Sequence, residues 1–92
     1  MAELERTKTI TLIAPLEGAE KNVTYESLQL KAPALIQVEQ FYERQATKTS
    51  LSAMRLLICL VTGVPEGQLQ KMDYCDFKKC EEYLLGFLTW KP

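Results

Sequence analysis

The chain has 92 residues, 47% of them hydrophobic and 25% charged, which fits one domain whose core takes up roughly 60–65% of the extended chain's surface. Its formal charge of −1, from 11 basic and 12 acidic residues, leaves no basic stripe to neutralise phosphates, so nucleic acid is excluded as a partner. Residues 51–64, the longest mostly apolar stretch, fall short of the ~20 residues of a membrane span and are interrupted by Arg55. The charged N-terminus "MAELERTKT" has no apolar signal region behind it, so the expectation is a cytoplasmic protein with no membrane partner.

Residues 8–16, "KTITLIAPL", alternate: Ile10, Leu12, Ala14 and Leu16 share one face, and Thr9 and Thr11 the other. That period of two, in β-forming residues, predicts a strand. A polar loop, "EGAEKN", leads to "VTYESLQLK", in which Val23 and Tyr25 are in phase and Leu28 and Leu30 follow after a slip. The slip predicts a bulge near Glu26–Ser27, or a strand that changes which face it buries. The two runs, about 8–30, form a β-hairpin that must lean on helices or on another chain, because two strands alone are marginal in water. Its open edge can either accept a partner strand or stay bare while its apolar face packs on the helices.

Pro33 opens a helix over about 33–46, where its missing N–H goes unnoticed in the first turn. Leu35, Val38 and Tyr42 form its expected inner stripe, with Ala34 and Phe41 beside them and Glu39, Gln40, Glu43 and Arg44 on the wet side. Thr49 or Ser50 caps the next helix, 50–62, which is apolar almost all round apart from Arg55 and so belongs at the centre of the domain. Gly63 ends that helix in a left-handed conformation, and Pro65 starts a short turn over 65–70 that returns Leu69 and Met72 to the core. Asp73 caps a last helix, 74–88, with Asp76 in its first turn facing the helix dipole and with Phe77, Cys80, Leu84 and Phe87 along one stripe. The fold class is therefore α+β: an N-terminal two-stranded hairpin packed on three main helices, as a single domain over 1–92.

Catalysis has little to work with. There is no histidine to activate a serine or cysteine, and the glycines at 18, 63, 67 and 86 form no phosphate loop. Asp73 and Asp76 are occupied at the helix start, and Glu81 and Glu82 diverge as neighbours on a helix. Cys59, Cys75 and Cys80 number one too few for a zinc site, and Cys75 and Cys80 point about 140° apart on one helix. They read as reduced structural thiols, Cys59 being buried, although Cys75 near a helix start sits where thiolate is favoured. No catalytic, cofactor-binding or metal-binding residue is assigned. The end "YLLGFLTWKP" has apolar residues in too many directions for one buried stripe. It is either a contact surface or a tail that folds back over the hairpin.

The order of these signals resembles a known family. "LIAPLEG" (12–18), "LQLKAP" (28–33), "LVTGVPEGQLQKMDYCDF" (60–77) and "LLGFL" (84–88) are similar, in sequence and spacing, to the tail assembly chaperones of Mu-like contractile-tailed phages, the protein E type. The likeness covers about residues 8–90, and its motifs are structural punctuation rather than catalytic residues. Lys31 stands where arginine is common and Leu16 where isoleucine is, which removes a bidentate guanidinium at position 31. The resemblance implies a non-enzymatic assembly factor in the cytoplasm of a bacterial host, encoded by a phage or prophage. Its implied partner is the long helical tape measure protein, kept soluble during virion morphogenesis. In many such phages the gene also yields a longer, frameshifted form of the protein, a second implied partner.

From expected exposure, and not from family sites, Tyr83, Phe87 and Trp90 are the candidate partner-binding residues, with Tyr42 a weaker one. The alternatives are a small homo-oligomeric structural protein or a phage-encoded regulator of a host protein.

Overall fold

The computed structural model describes residues 5–18, 20 and 22–91; the remaining positions, and with them parts of the charged N-terminus, the 17–22 loop and the chain's last residue, lie outside the described residues. Six elements follow one another: β1 (Thr7–Glu17), β2 (Thr24–Lys31), α1 (Leu35–Thr47), α2 (Ser50–Thr62), α3 (Glu66–Leu69) and α4 (Tyr74–Leu88). This is the α+β arrangement expected, an antiparallel hairpin followed by helices.

The hairpin buries Ile10, Leu12 and Leu16 of β1 and Leu28 and Leu30 of β2. These meet Ala53, Met54, Leu57, Ile58 and Val61 of α2 and Cys80 and Leu84 of α4 in one core. Helix α2 contacts β2, α1, α3 and α4, the central position its nearly all-apolar sequence requires. Its ends follow local rules: Thr49 Oγ1 accepts the Ser52 N–H at 3.0 Å, and Gly63 closes the helix at φ +81°.

The bulge lies on the other strand from the one its sequence slip suggested. Pairing runs regularly from Thr7↔Lys31 to Thr11↔Ser27 and resumes at Leu16↔Tyr25, so β1 advances five residues where β2 advances two. The extra length is "LIAP", residues 12–15, opposite Glu26. Only β2 changes phase there, between Tyr25 and Leu28, while β1 keeps Ile10, Leu12 and Leu16 on one face through its surplus residues. A phase slip in one strand therefore does not say which strand carries the surplus.

Helix α1 also turns a different face to the core. Leu35 is 76% exposed, Ile36 is exposed and Tyr42 is 50% exposed, whereas Phe41 is buried and Gln37, Val38 and Arg44 are half-buried. Polar anchors set this rotation. Gln37 Nε2 donates to the Leu60 carbonyl at 3.2 Å and its Oε1 accepts the Ala34 N–H at 2.9 Å, while Arg44 donates to Ser52 Oγ at 3.1 Å. Leu35 and Tyr42, seven residues apart, align on one line of the helix well away from these anchors at ~100° per residue. The helix begins at Leu35, two residues after Pro33.

Candidate interaction surface

Helix α4 holds two of the four candidate residues, Tyr83 and Phe87, with Trp90 just past its end, and its position depends on Asp76. This residue is fully buried at 0% exposure. Its Oδ1 accepts the Ile13 N–H at 2.8 Å, and its Oδ2 accepts the Ile13 and Ala14 N–H groups at 3.0 and 3.2 Å. Those donors belong to the β1 bulge and have left the strand ladder, while Pro15 beside them brings no N–H. Lys79 Nζ lies 3.7 Å from Asp76 Oδ1 and 3.5 Å from the Thr11 carbonyl oxygen, giving the buried charge a partner. So Asp76 does more than face the helix dipole: it fastens α4 to the bulge. Asp73 alone is the side-chain cap, accepting the Cys75 N–H at 2.8 Å.

Further along α4, Tyr83 and Phe87 meet edge to face with ring centroids 5.2 Å apart. Tyr83 packs against the core and its hydroxyl donates to the Glu5 carbonyl at 2.6 Å, so this tyrosine also ties the helix to the start of β1. Partial burial, with Glu5 adding, pushes its phenol above the ordinary value. Phe87 is half-buried, and Trp90, past the end of the helix, is 52% exposed. Tyr42 stands elsewhere: its ring leans on Phe41 at 5.1 Å, and α1 packs on α2. Among the described residues no aromatic contact joins Tyr42 to the α4 residues or reaches Trp90.

A second exposed region was not singled out from the sequence. Leu51, Arg55, Leu69, Gln70, Met72, Tyr74 and Phe77 line an open groove of about 160 Å³. Leu51 and Tyr74 at its margins are 54% and 61% exposed, and Tyr74 stacks on Phe77 at 5.9 Å with Lys78 Nζ above its ring. The available signal was the spacing of Tyr74 and Phe77, which puts both rings on one side of the helix start, with Leu51 opening α2 before its apolar run.

Behind the groove, Glu66 gathers two guanidinium groups. Arg44 reaches it with two nitrogens at 3.0 and 3.3 Å, and Arg55 Nε with one at 3.2 Å. The Arg44 hydrogen bonds hold the Glu66 carboxyl below its ordinary value against the opposing effect of partial burial, and Arg55 adds to them.

The thiols divide by burial. Cys75 is exposed, Cys59 is half-buried rather than buried, and Cys80 is the one fully inside the core. Burial first, then the neighbouring Asp76 carboxylate, pushes the Cys80 thiol up to about 11. Cys59 is also raised, by burial and then by Glu66. Among the described residues no group of three histidine, cysteine, aspartate or glutamate side chains is placed to hold a metal ion, and no helix is long and apolar enough to cross a membrane.

Comparison with curated proteins and with solved structures returns no match in either case. A family model described as "Phage tail assembly chaperone proteins, E, or 41 or 14" matches residues 9–89, a span from within β1 past the end of α4 that takes in the bulge, Asp76, Tyr83 and Phe87 and stops one residue short of Trp90. The chain belongs to this phage tail assembly chaperone family.

Proposed function

We propose that this chain folds as a single domain over 1–92 and acts in the host cytoplasm, where it binds the tape measure protein during tail morphogenesis and keeps it soluble without catalysing a reaction. Membership of the family supports a role in tail assembly and a protein partner. The observation that carries the finer reading is the end of α4. There Trp90 stands 52% exposed beside the half-buried Phe87, aromatic surface of the kind that covers another protein's apolar stripe. Tyr83 contributes its ring edge while its hydroxyl is held by Glu5. Tyr42, exposed on α1, is a separate and weaker contact.

The test is capture of partners by the tagged protein in cells producing the source phage or prophage, read by mass spectrometry. The expected result is recovery of a long helical tail protein encoded nearby. Trp90→Ala and Phe87→Ala should reduce that recovery with helix content unchanged by circular dichroism. Recovery of a host protein alone would favour a regulator, and recovery of the chain alone a homo-oligomer; either overturns the proposal. A longer frameshifted form of the chain would appear in the same sample as peptides running past residue 92.

A further inference from the structure

We propose that the groove between the start of α2 and the start of α4 is a second docking site, and that it takes an amphipathic helical segment of the protein partner whose apolar stripe includes one carboxylate. This rests on the reading that the partner is a helical protein. Leu51, Leu69, Met72, Tyr74 and Phe77 supply apolar walls around about 160 Å³, the scale of a cavity that accepts a benzene-sized group, so one large side chain can seat in it.

Charge selects the occupant. Arg55 lines the groove and spends only Nε on Glu66, at 3.2 Å; among the described residues its two terminal nitrogens make no hydrogen bond. Glu66 already receives both terminal nitrogens of Arg44, so the Arg44–Glu66–Arg55 group carries one net positive charge. Asp73, which caps α4 between the lining residues Met72 and Tyr74, keeps its negative charge, and Lys71, exposed between Gln70 and Met72, offsets it, while Glu81 pairs with Lys78 at 2.6 Å. The charge around Arg55 therefore stays positive by one. A planar guanidinium with free N–H donors beside apolar walls favours a carboxylate flanked by leucine-like side chains, and disfavours a basic helix.

The probe is a synthetic helical peptide of about 16 residues, long enough for measurable helix content, with leucines at i, i+3, i+4 and i+7 and one glutamate within the stripe. It is titrated into the isotopically labelled full-length protein and followed by amide chemical shifts, beside a twin with lysine in place of the glutamate. The glutamate peptide should shift Leu51, Arg55, Met72, Tyr74 and Phe77 and bind about tenfold more tightly than the lysine twin, a difference of about 1.4 kcal/mol. Arg55→Gln should abolish the preference between the peptides. Tyr74→Ser and Leu51→Ser, at exposed positions that leave folding intact, should weaken the glutamate peptide about tenfold.

Equal binding of the two peptides, or shifts confined to the Trp90 end, would overturn the site. So would concentration-dependent shifts of the groove residues without peptide, which would mean a second copy of this chain occupies it. The peptide titration does not use the tape measure protein. A failed capture with a successful titration therefore sinks only the functional reading, and the reverse pattern sinks only the groove.

Discussion

Truncating Asp76 to alanine strips the Ile13 and Ala14 amides of their acceptors and leaves Lys79 without its carboxylate. An unpaired buried donor costs about 1–3 kcal/mol, while Lys79, 44% exposed, stays hydrated once its partner is gone and adds little to the loss. Asp76→Ala should therefore lower unfolding free energy by about 3 kcal/mol in urea denaturation. Asp76→Asn, which keeps the volume and one acceptor oxygen, should cost less. A loss within 0.5 kcal/mol for the alanine variant would mean that water replaces the carboxylate at the bulge. Glu66 leads to a pH effect of definite sign. Its folded value lies below the unfolded one, so the stability it contributes is present above the ordinary glutamate value of about 4.3 and is lost as pH falls through the lower folded value. Denaturation midpoints of the wild type should fall more steeply than those of Glu66→Gln as pH drops below about 4.3; parallel curves would show that the two arginines do not perturb this carboxylate.

Helix boundaries were legible because local chemistry sets them. Thr49, Gly63, Pro65 and Asp73 punctuate α2, α3 and α4 at the places their side chains or backbone preferences dictate. Gly63 gives the direct check. A Cβ built there meets nothing within 4 Å, so Gly63→Ala bears only the cost of a left-handed backbone at φ +81°, about 1–2 kcal/mol, with no added steric clash. The expected thermal shift is about 4–8 °C per kcal/mol for a domain of this size, measured by calorimetry; an unchanged melting temperature would mean the turn relaxes to another conformation. What was not legible depended on distant partners. The inner face of α1 is chosen by Gln37 reaching the Leu60 carbonyl and by Arg44 reaching Ser52 and Glu66, contacts 8 to 23 residues away that outweigh the Leu35–Tyr42 stripe. The bulge was located but assigned to the wrong strand. Its stabilising acceptor, Asp76, lies 63 residues from Ile13, and a charged residue in a first helical turn gives no sign that it will be wholly buried. Of the candidate contact residues, Trp90 is exposed, Tyr42 is exposed although its helical stripe pointed to the core, and Tyr83 shares its ring with the core.

At the scale of the whole molecule, the large exposed apolar side chains among the described residues include Ile13 and Val23 on the hairpin and three helical groups: Leu35, Ile36 and Tyr42 on α1, Leu51 and Tyr74 at the groove, and Leu85 with Trp90 at the end of α4. A small domain that keeps this much apolar surface in water either associates with itself or reserves it for a partner. The regions differ in how charge enters, and that difference can be measured. The α4 end offers aromatic and aliphatic surface, with exposed Lys91 next to Trp90 as a minor charge. Burial of apolar surface is not screened, so most of its contribution to partner capture should survive 0.5 M salt, where the screening length is only about 4 Å. The groove, with Arg55 beside apolar walls, should lose part of its contribution under the same conditions, because a partly exposed guanidinium–carboxylate contact is screened. Capture of the protein partner by Trp90→Ala should therefore be weak at every salt concentration. Capture by Arg55→Gln should match the wild type at high salt and fall below it at low salt, since salt and this substitution disable the same guanidinium–carboxylate contact. If the two variants instead lose capture in parallel as salt rises, the groove and the α4 end belong to one continuous interface, with the steps of α4 between Tyr74 and Trp90 lying beneath the bound helix.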